Sequence, residues 1–102
     1  MNMGELMKQA QQFQEKLASI QSDLAGKQVT GSAGAGMVTA TLNGKGELMS
    51  LAIEEAIVQR ENTQMLQDLV VAAVNDGLAK VEELKKNEVS QLTGGIQIPG
   101  LF

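Results

Sequence analysis

The side chains in this sequence that could do chemistry are mainly lysines, and the chemistry they suit is contact with phosphate. Lysines neutralise the backbone phosphates of duplex DNA without reading the bases. Five of them lie in two predicted helices, near the beginning and toward the end of the chain: Lys8, Lys16, Lys80, Lys85 and Lys86. These five are the candidate DNA-binding residues. The competing interpretation of the same pattern is a helix surface whose charges simply face solvent.

The placement of the carboxylates argues against catalysis. Acid–base chemistry needs two carboxylates that converge on one cleft, with the pKa of one shifted by apolar surroundings. Neighbours on a helix point about 100° apart and do not converge, and both adjacent pairs, Glu54-Glu55 and Glu82-Glu83, are predicted to be solvated. The sequence also has no Cys and no His, which removes thiolate and imidazole chemistry and the commonest transition-metal ligands. We predict no enzymatic activity, no cofactor and no metal site.

The glycine-rich segment at residues 31–36 invites comparison with a nucleotide-binding loop. Its order is G-x-x-G-x-G, whereas the dinucleotide-binding pattern is G-x-G-x-x-G and opens a helix. A strand is predicted to follow this segment, and the Lys-Ser/Thr pair of a phosphate-binding loop is missing. We therefore predict a flexible turn between two strands and no small-molecule substrate.

Aromatic content separates the possible nucleic-acid partners. The chain has two Phe and no Trp or Tyr. Proteins that recognise single strands stack unpaired bases on aromatic side chains. If the partner is a nucleic acid, the composition therefore favours a duplex.

The first element that must position the lysines is an N-terminal helix. Its apolar residues recur in alternating steps of four and three: Leu6, Ala10, Phe13, Leu17, Ile20 and Leu24. This heptad spacing is typical of a helix that packs along another helix. Gly26 lies just past the last apolar position and is predicted to end it.

The middle of the chain changes to a period of two. Val38, Ala40 and Leu42 alternate with other residues and predict a strand with one better-buried face. Asn43-Gly44 follows, and Asn-Gly is a strong hairpin signal because both residues tolerate positive φ. The return strand covers about residues 48–53, and an earlier short strand is predicted around Val29. The three strands are expected to form an antiparallel meander.

A second long helix is predicted from Asn62 or Thr63 to about Leu92, on a broad apolar stripe. Gly77 costs about 1 kcal/mol inside a helix relative to Ala, so close packing is its predicted role. The fold class is therefore α+β, with one domain over residues 1–92 and an irregular tail over residues 93–102.

Chain length and net charge narrow the possible domain number, location and partners of the protein. A chain of 102 residues forms one domain, and oligomerisation would help a core of this size. The N-terminus lacks the pattern of a signal peptide, and the longest apolar run, Leu69 to Val74, is too short to span a membrane. We expect a soluble, cytoplasmic protein. Its net charge of −4 disfavours non-specific attraction to polyanions.

Several segments, taken together, resemble the YbaB/EbfC family of nucleoid-associated proteins. They are the residues at 7–11, Val29-Thr30-Gly31 with Gly34 and Gly36, Asn43-Gly44, residues 65–76 with Lys80, and residues 92–100. The resemblance runs nearly end to end. It implies a bacterial, cytoplasmic, nucleoid-associated protein that forms an elongated homodimer with paired helices projecting like the arms of tweezers. It also implies binding to double-stranded DNA and an influence on gene expression.

Two hypotheses therefore stay open. In the first, a homodimer binds duplex DNA with little sequence selectivity through the five lysines. In the second, the protein is an interaction module that holds a protein partner with its helical arms and the apolar side chains of its tail: Ile96, Ile98, Leu101 and Phe102. The first is the leading hypothesis, and the acidic balance fits the second at least as well, because two copies, each at −4, would carry −8. The step at Glu54-Glu55, where the family often has an Asp-Pro-like step, adds negative charge.

Overall fold

The computed structural model describes residues 2–93 as two long helices joined by a three-stranded sheet. The elements follow the predicted order: α1 (Met3–Ala25), β1 (Gln28–Ala33), β2 (Val38–Asn43), β3 (Leu48–Ile53) and α2 (Thr63–Thr93). Two short 3₁₀ turns, Glu55–Ile57 and Arg60–Asn62, connect β3 to α2. The predicted tail lies outside the described residues, except that Thr93 is the last residue of α2.

Local capping explains where α1 begins and ends. The Oδ1 atom of Asn2 accepts a hydrogen bond of 2.9 Å from the N–H of Glu5, which satisfies one of the free donors of the first turn. At the other end the N–H of Gly26 donates to the carbonyls of Asp23 and Leu24. The predicted end of the helix at Gly26 is therefore confirmed.

The core lies between the sheet and α2. The strands are antiparallel in the order β1-β2-β3, and the predicted meander is confirmed. Val38, Ala40 and Leu42 on one face of β2 are at most 1 % exposed, because α2 packs across β1 and β2. The rest of the core cluster is Ile57, Ala73 and Val81.

The first turn is shorter than predicted. Residues 31–33 of the predicted turn belong to β1, and the chain reverses over residues 34–37. Gly34, Ala35 and Gly36 have positive φ of 63°, 54° and 90°, which explains two of the glycines. Gly31 is in the segment for another reason. A side chain at this position would overlap the backbones of Ala73 and Gly77 in α2, so its role is close packing.

The hairpin between β2 and β3 is confirmed, but its predicted geometry is wrong. Positive φ occurs at Gly46, at 92°, and not at Asn43 or Gly44. Asn43 instead uses its Oδ1 atom to accept from the N–H groups of Lys45 at 2.9 Å and Glu47 at 3.0 Å. Gly44 is required because any side chain there would overlap the backbone of Leu24 at the end of α1.

The protein is strongly elongated. It measures 69 × 21 × 17 Å, with a radius of gyration of 18.9 Å, whereas a compact domain of this length has about 13 Å. The first half of α2 covers the sheet and its second half continues away from it, antiparallel to α1. The two helices form an arm, which the ion pair between Lys27 and Glu88 joins at the base. No helix in the described range is long and apolar enough to span a bilayer.

Candidate nucleic-acid interface

Lys80 lies at the edge of the sheet, against β1. Its Nζ atom donates to the carbonyl of Thr30 in β1 at 2.7 Å and lies 3.4 Å from the carboxylate of Asp76. Asp76 in turn accepts from the N–H of Ser32 at 2.9 Å. The fold therefore uses Lys80 and Asp76 to hold the edge of β1. Lys80 remains a predicted DNA contact, but its charge is already partly compensated.

The pKa of Asp76 lies below its ordinary value. The hydrogen bond from the N–H of Ser32 is the largest cause; burial opposes it, and the positive charge and hydrogen bond of Lys80 lower the pKa further. Both favourable interactions stabilise the ionised carboxylate. The hydrogen bond from Ser32 and the ion pair with Lys80 are therefore strongest when Asp76 is charged.

This contact predicts a specific dependence of stability on acidity. A pKa that is lower in the folded than in the unfolded protein stabilises the fold above the unfolded value of about 4, and that contribution is lost as the pH falls through the folded value. We expect Asp76→Asn to be less stable than the parent at pH 7, with the difference shrinking toward pH 2. Urea unfolding followed by circular dichroism measures it. Asp68→Asn, on the same helix, is the control, and an equal pH dependence in both variants would contradict the prediction.

A second lysine site lies where the arm meets the sheet. A groove of about 320 Å³ separates the two helices beside the β2–β3 hairpin. Its lining is Leu17, Ile20, Gln21, Leu24, Lys45, Lys85 and Val89. The groove brings Lys85 together with Lys45, which the sequence analysis did not select because it lies alone in a turn 40 residues earlier. Four of the residues that line the groove are apolar and two are lysines.

Lys8, Lys16 and Lys86 lie on the outside of the arm. All three are exposed, and Lys8 and Lys16 are separated by about 12 Å along α1. Among residues 2–93, no carboxylate lies within ion-pair distance of these three lysines or of Lys85. The four are free to contact phosphate.

Carboxylates interrupt this positive charge along the arm. Glu5, Glu15 and Asp23 lie on α1 with its two lysines, and Glu82 and Glu83 are exposed on α2. The arm therefore has no continuous positive face. In the part of the chain that the structure describes, no group of three or more potential ligands could hold a metal ion.

Comparison with known proteins relates this architecture to one family. Residues 1–96 match the sequence profile of the YbaB/EbfC DNA-binding family. A nucleoid-associated protein of Desulfotalea psychrophila is 50% identical over 101 residues, which cover 99% of this chain and 95% of that protein. One from Rhodospirillum rubrum is 44% identical over 98 residues, covering 96% and 92%. The crystal structure of an uncharacterized protein from Helicobacter pylori has a TM-score of 0.82 at 27% identity, covering 91% of this chain and 98% of that one.

Proposed function

Because the chain belongs to the YbaB/EbfC DNA-binding family, we propose that it binds duplex DNA as a homodimer with little sequence selectivity. The match over residues 1–96 carries the proposal, since it includes both helices of the arm. Proteins of this family bind DNA and are not enzymes. We place the protein with the bacterial nucleoid, in the cytoplasm, where it would influence DNA organisation and gene expression.

The dimer is proposed to form through β3. Leu51 lies opposite Ala40 of β2, and Ile53 lies opposite Val38. Opposed residues share one face of a sheet, so Leu51 and Ile53 lie on the face that α2 covers elsewhere. Yet Leu51 is 40% exposed and Ile53 38%, whereas both partners on β2 are at 0%. The β3 part of this apolar face is therefore left uncovered in the single chain.

The two edges of the sheet support the same choice. Open strand edges tend to pair with other chains unless they are blocked. Side chains of α2 occupy backbone groups of β1 at Thr30 and Ser32. β3 is the opposite edge, and Leu48 and Met49 are exposed on it as well. A second copy that packs β3 against β3 would cover this surface in a two-fold symmetric interface.

DNA binding is proposed to use the lysines of the arms. Ammonium groups contact backbone phosphates whatever the bases are, which accounts for the low selectivity. Lys8, Lys16, Lys85 and Lys86 would supply these contacts in each protomer, and Lys80 would contribute less. Lys45 joins the set because it lines the groove beside Lys85.

The double variant Lys85→Gln, Lys86→Gln, which removes both charges, is expected to bind DNA about tenfold more weakly. The loss of affinity should be similar for duplexes of unrelated sequence. Removal of one phosphate-binding charge also reduces the slope of log affinity against log salt by about 0.9. Fluorescence anisotropy of duplexes of about 30 base pairs, titrated at roughly 50 and 200 mM salt, measures both effects. Lys85→Arg with Lys86→Arg, which changes the same two side chains but keeps both charges, is the matched control. Unchanged affinity in the double variant would rule out this patch.

The second candidate function is the protein-interaction module. The interrupted charge of the arm and the net charge of −4 favour it. The same titration separates the two functions. No binding of the parent protein to any duplex at the lower salt would remove the DNA hypothesis and leave the protein partner.

A further inference from the structure

The groove between α1 and α2 has the composition of a binding site for an amphiphilic anion. Its aliphatic residues come from both helices of the arm: Leu17, Ile20, Leu24 and Val89. The other lining residues are Gln21, Lys45 and Lys85, and none of the lining residues is acidic. Sites for small molecules combine a mostly apolar lining with a few polar groups, and they often lie between helices. The groove therefore differs from the outer surface of the arm, where carboxylates are interspersed with the lysines.

The two positive charges of the groove are not compensated by the chain. Within residues 2–93, neither ammonium group has a carboxylate at ion-pair distance or a hydrogen-bond acceptor. Two carboxylates close to the groove in sequence are engaged elsewhere. Glu88, next to Val89, pairs with Lys27, and Glu47 accepts a hydrogen bond of 2.8 Å from the side chain of Asn43. Lys85 is moreover half-buried, so an anion that reaches it would be partly shielded from water.

The volume of the groove limits the size of the anion. About 320 Å³ lies at the lower end of the range for small-molecule sites, which is roughly 300–1,000 Å³. A water molecule takes about 30 Å³ in the liquid, and a methylene group takes a similar volume. The groove therefore accommodates on the order of ten non-hydrogen atoms. Octanoate, a straight aliphatic chain that ends in one carboxylate, is a ligand of this size.

We propose that the groove binds a medium-chain aliphatic carboxylate, with the chain against the apolar lining and the carboxylate at Lys45 and Lys85. The two ammonium groups would donate charge-assisted hydrogen bonds to the carboxylate, and burial of the chain would supply most of the affinity. A DNA phosphate could pair with these lysines but would leave the aliphatic lining in water. A protein segment is the weaker candidate, because a stable protein interface buries at least about 1,000 Å². The proposal goes beyond DNA binding and does not depend on it.

The test is a titration of the full-length, ¹⁵N-labelled protein with octanoate, followed by the NMR shifts of its backbone amides. We expect saturable shifts concentrated at residues 17–24, 45 and 85–89, with a Kd on the order of 1 mM or below for a ligand of this size. Octan-1-ol has the same chain without the charge, and acetate has the charge without the chain. Each should shift the same signals far less than octanoate at equal concentration.

The other outcomes of this titration would overturn the proposal. Octan-1-ol binding as well as octanoate would mean that the lysines do not hold the ligand. Acetate binding as well as octanoate would mean that the lysines form a plain anion site without use of the aliphatic lining. Shifts confined to the exposed apolar residues of segments 3–13 or 48–53, or no saturable shifts at all, would place no ligand in the groove.

A pair of variants tests the contribution of the groove itself. Lys85→Gln is expected to raise the Kd for octanoate about tenfold, because it removes one charged hydrogen-bond donor from the lining. Lys86→Gln is the matched control, since it removes the same charge from the next residue of α2, which is exposed and does not line the groove. It should leave the Kd for octanoate unchanged. Equal Kd values in the two variants would show that octanoate responds only to the net charge of the arm, and would overturn the proposal.

Discussion

Gly31→Ala is expected to lower the free energy of unfolding by about 3 kcal/mol, the upper part of the range for overpacked interiors. A Cβ atom at this position would overlap the carbonyl oxygen of Ala73 and the backbone nitrogen of Gly77. Both obstacles are helix backbone, which cannot rotate away as the end of a side chain can. The strand cannot easily retreat either, because β2 holds it on one side and Asp76 and Lys80 hold its other edge.

Urea unfolding of Gly31→Ala measures this destabilisation, and Gly26→Ala is the matched control. At Gly26 a Cβ atom would lie 3.6 Å from the carbonyl oxygen of Asp23, an ordinary contact, and φ is −88°. The same methyl group is added in both variants, but only Gly31 faces another element. Equal effects at the two positions would show that α2 does not pack on β1 as closely as described.

Leu51→Glu is expected to convert the proposed homodimer to monomers at micromolar concentration. A two-fold interface carries the change twice, and at about 2 kcal/mol for each buried position the Kd rises on the order of 1,000-fold. The physical cause is the desolvation of a carboxylate in an apolar contact. Sedimentation velocity or light scattering with a concentration series measures the change.

The control for this variant is Ser50→Glu, which places the same charge one residue earlier in β3. Ser50 lies opposite Thr41, on the face of the sheet away from α2, and should leave the dimer intact. If the parent protein is itself a monomer at micromolar concentration, the homodimer proposal fails. If Leu51→Glu stays dimeric, the interface lies elsewhere on the protein.

Local patterns predicted the elements of this fold well. The heptad spacing of α1, the alternation in β2 and the hairpin at Asn43-Gly44 are all present. Each depends on residues within a few positions of one another, where backbone geometry and capping decide the outcome. The family resemblance was equally informative, because it also rested on short local segments that occur in a fixed order along the chain.

The errors fell where a distant part of the chain decides the role of a residue. Gly31 was predicted to lie in a turn, because a glycine among glycines usually does, but it belongs to a strand against which α2 packs. At Gly44 the sequence predicts a turn residue with positive φ, whereas the structure requires a glycine there because it lies against the backbone of Leu24 at the end of α1. Neither contact can be predicted from the residues that neighbour these glycines in sequence.

By itself, then, the sequence determined the α+β order, the ends of the helices and the family, because periodicity, caps and motif order are local properties. Only the tertiary structure distinguished Lys80, which holds a strand edge, from Lys85, which lines a groove with Lys45. It alone showed that β3 stays uncovered although its apolar residues alternate as in a buried strand. The reason is that α2 packs across β1 and β2 but not across β3. Whether an apolar side chain of the sheet is buried depends on whether another element packs over it.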